Sequence, residues 1–278
     1  MSQLLLYKPT TATRRHSSVV KYNKVLTKGV KPVKGLMVRS KNAAGRNHHG
    51  KITVRHQGGG YRTKVRIIDF KREAEAGYLV KTVEYDPNRN AFISLAVNLD
   101  SGKKVYILSH QNAQVGDVLK NDGSIGNGNR IKLGDVPVGT EVCQVEMLPG
   151  KGAQIVRGAG SYAIVTANDG KYVSLKLPSG EVRKFVNTCS AVLGRMSNEN
   201  YKNIRWGKAG RLRKMGVRPT VRGKVMNPVD HPHGGGEGSN PIGLKNPKTK
   251  WGKIAYGVKT RDKNKASSKL IVKRRKSR

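Results

Sequence analysis

Over 278 residues the chain carries 55 Lys+Arg against 17 Asp+Glu, a formal net charge of +38, and self-repulsion on that scale calls for a polyanionic partner in large amount. Membrane is the weakest such partner: no apolar run nears the roughly 20 residues of a spanning helix, and no long basic amphipathic stripe is present. Cys143 and Cys189 are the only cysteines and neither sits in a CxxC pair, which argues against a disulfide framework and a zinc ribbon and fits a reducing compartment. Nucleic acid is the expected partner.

Residues 1–60 read as a basic extension. Residues 1–68 hold 16 Lys+Arg and no acid, the first being Asp69. A stretch poor in aromatics and rich in Gly, Ser, Thr, Asn and Lys cannot bury enough to order itself, so it is expected to order on a partner. An acid-free start with Arg and Ser also resembles a mitochondrial transit peptide. Against that, the basic character runs on to Arg66 with no small-residue cleavage site, and Leu4 to Leu6 is too short for the apolar region of a secretory signal.

Residues 61–128 show short strands with turn signals every 8–12 residues or so, the rhythm of barrels and sandwiches. Arg62–Phe70 largely alternates charged and apolar residues, as a half-buried strand does. Tyr78–Tyr85, Ala91–Leu99 and Lys103–Leu108 continue the pattern, joined by the turns Asp86-Pro87-Asn88 and Asp100-Ser101-Gly102. One small barrel of four or five strands is expected. The Gly/Asn-rich loop Asn121–Asn129 leads to a second module over 129–197, with strands at Glu141–Leu148, Ser161–Ala167, Tyr172–Leu177 and Glu181–Val186. Its hairpin turns are Asn168-Asp169-Gly170 and Pro178-Ser179-Gly180. Residues 198–278 read as a second basic, Gly-rich extension. The best helix candidate, Met196–Arg205, is short. After Trp206 the glycines Gly207, Gly210, Gly216, Gly223 and Gly234 to Gly236 break regular structure, and residues 238–278 carry 14 Lys+Arg against Asp262 alone. The fold class is all-β: two small barrels with long irregular basic extensions.

Three motifs invite chemistry. His231-Pro-His-Gly-Gly-Gly-Glu-Gly238 offers His231, His233, Glu237 and Asp230 as metal ligands, but a catalytic zinc site places its ligands on rigid elements with supporting partners, and no helix carries these. The favoured reading is that the glycines let backbone approach nucleotides closely while the histidines stack on or hydrogen-bond to bases. Gly150-Lys-Gly-Ala-Gln-Ile-Val-Arg-Gly158 lacks the GxxxxGK[ST] order of a P-loop, so Lys151 and Arg157 suit an RNA backbone, the alternative being a solvated basic loop. In the first module Gly58-Gly59-Gly60-Tyr61 precedes the strands. There Asp86 and Asn88 are expected to satisfy their turn and hold Arg89 out from the barrel rim, where its planar fork grips phosphate in two places. DNA compaction would use the same charge, but nothing resembles a groove-reading helix.

Taken in order, Tyr85-Asp-Pro-Asn-Arg89, Pro149-Gly-Lys-Gly152, Leu177-Pro-Ser-Gly-Glu-Val-Arg183, Gly207-Lys-Ala-Gly210, Val217-Arg-Pro-Thr-Val-Arg-Gly223 and Met226-Asn-Pro-Val-Asp-His-Pro-His-Gly-Gly-Gly-Glu-Gly238 resemble the universal large-subunit ribosomal protein family L-two, in its bacterial and organellar branch. The likeness runs from Tyr7-Lys-Pro-Thr10 to Lys273-Arg-Arg-Lys276. Small departures are Ala153 where glycine is usual, Lys250 before Trp251 where proline is common, and His48-His49 in place of an amide-rich pair.

The resemblance implies an oligonucleotide-binding-type barrel followed by an SH3-like barrel, both on large-subunit ribosomal RNA. It implies a primary rRNA-binding structural constituent, not an enzyme, lying near the peptidyl-transferase centre and the subunit interface, where it supports subunit association, tRNA placement and peptide-bond formation. The candidate rRNA-binding residues are Arg55, Arg62, Arg66, Lys71, Arg72, Arg89, Lys151, Arg157, Lys208, Arg218 and Arg222; family members use the arginines matching Arg89 and Arg157 as main contacts. Asn227, Asp230, His231, His233, Gly234, Gly235, Gly236 and Glu237 form the loop expected near the peptidyl-transferase centre. The family link of His231 to peptide-bond formation carries over as proximity only, since a general base must come within about 3 Å of the attacking amine. No catalytic residue and no metal ligand is assigned, and no cofactor beyond Mg2+ or K+ shared nonspecifically with rRNA. Expected partners are large-subunit rRNA, neighbouring ribosomal proteins, small-subunit rRNA at the interface and tRNA by proximity, with no membrane. The expected location is the cytoplasm of a bacterium or, alternatively, the interior of a plastid or mitochondrion.

Overall fold

The computed structural model describes residues 4–72, 77–238, 240–262 and 264–275. In chain order its strands are β1 (Leu4–Leu6), β2 (Ser18–Val20), β3 (Met37–Arg39), β4 (Lys64–Arg66), β5 (Tyr78–Glu84), β6 (Ile93–Asn98), β7 (Lys104–Leu108), β8 (Val118–Leu119), β9 (Arg130–Lys132), β10 (Glu141–Cys143), β11 (Ala163–Asn168), β12 (Tyr172–Lys176), β13 (Val182–Val186), β14 (Ser190–Leu193) and β15 (Ile271–Lys273). Among the described residues the α-helices are two short pieces, α1 (Ala12–Arg15) and α2 (Ala209–Lys214), neither of which is long and apolar enough to cross a membrane.

The first module is an antiparallel sheet in the order β7-β6-β5-β8, to which Ile68 adds a parallel bridge at Tyr106 on the β7 side. The second is a seven-stranded antiparallel sheet in the order β15-β13-β12-β11-β10-β14-β9. Together they make an all-β fold, an oligonucleotide-binding-type barrel followed by an SH3-like one. Strand β6, Ile-Ser-Leu-Ala-Val-Asn, is buried almost throughout because each of its faces meets a different core. Ala96 packs with Tyr78, Val80, Phe92, Ile107 and Leu119 inside the first module. Ile93 and Leu95 join Tyr106 and Leu108 in a larger cluster with Val142, Val165, Val173, Leu175 and Phe185 of the second. The two modules therefore share apolar surface, whose burial at about 25 cal/mol per Å2 is the main force holding them.

The described residues fall into two compact units. The first takes those of Met1–Lys41, Arg62–Ala209 and Lys269–Arg278; the second takes Asn42–Tyr61 with those of Gly210–Ser268.

Several expectations are corrected. The extended stretch Arg62–Phe70 is not one barrel strand: Lys64–Arg66 pairs with Met37–Arg39 of the arm, leaving the single bridge at Ile68 for the barrel. Glu141–Leu148 stops as a strand at Cys143, because Gln144 has a left-handed φ of 50° and breaks the ladder before Val145 bridges Ile155. Met196–Arg205 holds only a 3-10 turn at Glu199–Asn203, entered through left-handed Asn198. The stretch after Trp206 is not wholly irregular, since α2 forms there. Nor does the N-terminal arm wait for a partner throughout. Strands β1 and β2 pair, Thr27 exchanges hydrogen bonds with Val83, and Val33 N donates to the Tyr106 hydroxyl at 3.1 Å, which itself donates to buried Glu84.

Candidate nucleic-acid interface

The Asp86 turn is built from its own side chains. Asp86 Oδ1 accepts from Asn88 N at 2.9 Å, Asn88 Nδ2 donates to Lys64 O at 2.8 Å, and Thr63 donates to Asn88 Oδ1. Arg89 is not simply held out from the rim: its Nε lies 2.5 Å from Asp86 Oδ2, a carboxylate with no exposed surface, while the arginine side chain keeps 23% exposure. The Nε edge of the guanidinium is thus fixed by a charged hydrogen bond. Its two terminal nitrogens make no hydrogen bond among the described residues, which is the edge that grips phosphate.

A second cluster surrounds Phe70. Phe70 O accepts from Ala153 N at 2.9 Å and from Arg130 Nη1 at 3.1 Å. Gly152 approaches the same carbonyl so closely that a Cβ there would stand 2.8 Å from it, so this glycine serves packing between loops. Buried Glu146 ties the arrangement together, accepting from Arg130 Nη2 at 2.5 Å, Gly152 N at 2.8 Å and Ser190 N at 2.9 Å. The exposed Arg157 guanidinium then lies 4.9 Å from the centre of the Phe70 ring, a cation on an aromatic face. Lys71 and Lys151 are exposed beside it. Lys71 and Arg72 enter a turn in which Asp69 accepts both their N–H groups, and Lys71, Arg72, Arg130 and Gly150 line one cavity of about 480 Å3. Arg72 is buried, with Nη1 donating to Gly128 O at 3.0 Å; burial, with Arg130 alongside, lowers its pKa to about 10, and it remains charged at neutral pH.

Two family models match this chain. One, Ribosomal Proteins L2, RNA binding N-terminal domain, matches residues 33–121; the other, Ribosomal Proteins L2, C-terminal domain, matches residues 126–252. The chain belongs to the ribosomal protein L2 family. As a member of that family it is a structural constituent of the large ribosomal subunit, its N-terminal domain binds RNA, and its place is the ribosome.

The loop from Asn227 to Glu237 lies in the second unit. Gly234 N donates to His231 O and Gly235 N to Met226 O. His231 Nδ1 accepts from His233 N at 3.0 Å, and His233 Nε2 accepts from Lys248 N at 2.8 Å. Each imidazole is therefore the neutral tautomer whose other nitrogen carries the proton. His231 is 9% exposed, and desolvation, then His233 and Arg55, lower its pKa. Its ring covers Gly223, where a Cβ would sit 2.4 Å from Nδ1, and a Cβ on Gly234 would sit 2.3 Å from Asn227 O. At Gly223 and Gly234 the missing side chain thus makes room for the His231 ring and the Asn227 carbonyl. Gly235 and Gly236 have φ near +84° and +83°, which suits glycine alone. Asn227, Asp230, Gly236 and Glu237 are exposed. Among the described residues no group of three or more His, Cys, Asp or Glu is placed to share a metal ion.

The other predicted contacts are spread out. Arg62 and Lys208 are exposed in the first unit, where Arg66 is partly covered and donates to Lys64 O. In the second unit Arg55 is half-buried while Arg218 and Arg222 are exposed, Arg218 N donating to His56 O. The sequence does not single out Arg130 or Glu146: Arg130 directly follows the Gly/Asn-rich loop Asn121–Asn129, and Glu146 reads as the polar face of a strand. Also unforeseen is Arg195, bonded to Glu141 through both Nε and Nη2 and lying 4.2 Å from the Tyr162 ring centre. Its signal was thin, a lone acid opening a strand and a lone arginine 54 residues later.

Proposed function

We propose that this family member anchors large-subunit rRNA through both barrels, and that its second unit reaches towards the peptidyl-transferase centre and the subunit interface. Main contacts are Arg89 and Arg157, aided by Arg62, Arg66, Lys71, Lys151 and Lys208 in the first unit and by Arg55, Arg218 and Arg222 in the second. Arg72 acts from within, by holding the cavity wall positive. The observation that carries this reading is the pair of supported guanidinium groups, Arg89 on Asp86 and Arg157 on Phe70. Each is oriented before RNA arrives, which cuts the ordering cost of binding.

In this reading the chain performs no catalysis of its own. His231 Nδ1 is committed to a backbone N–H, so the loop Asn227, Asp230, His231, His233, Gly234, Gly235, Gly236 and Glu237 contributes shape and position, which supply much of the rate of a two-substrate reaction. Small-subunit rRNA, tRNA and neighbouring ribosomal proteins are its further partners. No cofactor takes part beyond Mg2+ or K+ shared with rRNA. The particle is a bacterial cytoplasmic one, with a plastid or mitochondrial ribosome as the alternative.

A cross-linking map on intact ribosomes tests the placement. Cross-links from residues 227–237 to the peptidyl-transferase region of the rRNA are expected. Cross-links confined to the solvent side of the large subunit would overturn it.

A further inference from the structure

We propose that Trp251 is a stacking platform for an unpaired RNA base, a contact that rests on the rRNA-binding reading above and adds a specific ligand to it. Trp251 sits at the tip of a small hairpin in the second unit. Lys248 and Ile254 pair as an antiparallel bridge, Thr249 N donates to Lys253 O at 2.7 Å, Gly252 N donates to Thr249 O at 2.9 Å, and Ala255 N donates to Pro247 O. Gly252 takes φ +78°, and Lys248 N is fastened to His233 Nε2.

The tip is thus pinned at its base, yet the indole it carries is 65% exposed and nearby Tyr256 is 78% exposed. An indole presented to water on an ordered turn leaves unused an aromatic surface on the order of 200 Å2. Its surroundings select what covers it. Between residues 238 and 261 the sequence holds Lys245, Lys248, Lys250, Lys253, Lys259 and Arg261 and no acid, and Lys250 Nζ lies 5.0 Å from the Trp251 ring centre.

The occupant must therefore combine negative charge with a flat apolar face. A nucleotide has both, its phosphate meeting the lysines and its base the indole. Duplex RNA hides its base faces within the stack, so the base is one left unpaired in a loop, bulge or single strand.

The test is a fluorescence titration of the full chain and of Trp251→Leu and Trp251→Phe, with Trp206 as the emission common to all three. The probes are a short oligoadenylate, a blunt RNA duplex, and heparin and polyglutamate as polyanions without bases. The difference between wild type and Trp251→Leu isolates the Trp251 signal. It should be quenched by oligoadenylate and little changed by the other three. Trp251→Leu should weaken oligoadenylate binding about tenfold without altering heparin binding, and Trp251→Phe should recover most of the loss. Equal quenching by polyglutamate or heparin, or undiminished oligoadenylate affinity in Trp251→Leu, would overturn the stacking assignment alone. Failure of the wild-type chain to bind any RNA would overturn the rRNA-binding reading beneath it.

Discussion

Arg89 holds its Nε 2.5 Å from Oδ2 of Asp86, whose carboxylate has no exposed surface. Asp86 orients a charge without meeting RNA itself. Asp86→Asn keeps an oxygen for Asn88 N but removes the charged tether, so rRNA affinity should fall about three- to tenfold while the slope of log affinity against log salt stays unchanged, the arginine charge being intact. Arg89→Ala should reduce that slope by about one. Filter binding over a salt series separates the two, and a slope lost equally in both variants would show that Asp86 acts otherwise.

Arg157 combines charge with a flat fork over Phe70. Arg157→Ala should cost affinity and about one unit of salt slope. Arg157→Lys should restore the slope but not all of the affinity, because an ammonium neither stacks as the guanidinium does nor grips phosphate in two places. Full recovery of affinity by lysine would assign Arg157 a purely electrostatic role.

Glu146 is a structural acid. Both of its oxygens are occupied, and Arg130, itself 14% exposed, loses its counter-charge when the carboxylate goes. Glu146→Gln should destabilise the first unit by about 3–5 kcal/mol, the cost of stranding a buried charge. Adding Arg130→Met to Glu146→Gln should recover part of that loss, because no buried charge is then left unpaired. Urea unfolding followed by circular dichroism reads both.

How far the sequence foretold this depends on where each residue's partner lies. Alternation and turn chemistry placed β5, β6, β7, β11, β12 and β13 because those strands pair with near neighbours through tight turns. Strand β9 pairs with β14 and β15 with β13, contacts closed over long intervals that leave no local period to read. The same holds within the interface. The Asp86 turn was legible because Asn88 stands two residues away, whereas the Arg89–Asp86 pair was not read although it spans only three residues, and the stacking of Arg157 on Phe70, the Arg130–Glu146 pair and the burial of Arg72 arise only once the barrels come together. The role of Gly223, which faces a histidine eight residues on, was likewise hidden in a stretch where every glycine reads alike.

His110 is buried after β7, and burial, with Arg72 nearby, lowers its pKa to about 4 despite the opposing pull of Asp117. Folding thus favours the neutral ring, whereas in the unfolded chain it titrates near 6.5. Between these values the unfolded state binds more protons, so stability rises with pH. The contribution is complete above about pH 6.5 and is lost as pH falls towards 4, by about 2 kcal/mol at pH 5. His231 acts in the same direction. Urea unfolding of wild type and His110→Asn at pH 7.5 and 5 should show a smaller pH dependence in the variant; an equal dependence would place the proton elsewhere.

Gly223→Ala drives a methyl into the His231 ring. The ring must leave, freeing His233 N from Nδ1, and the His231 pKa should rise towards its ordinary value as water reaches it. Titration by NMR reads this directly, and hydrogen exchange should quicken across residues 226–235.

The pairing of β15 with β13 also sets a schedule for biosynthesis. Residues 187–270 must be polymerised after β13 before its outer edge finds Ile271–Lys273. Until then a nascent or truncated product displays an unpaired ladder, the template on which strands of other chains add. Messages cut short within that interval should yield product that aggregates rather than assembles, so the quality of this protein is decided by translation running through its basic tail.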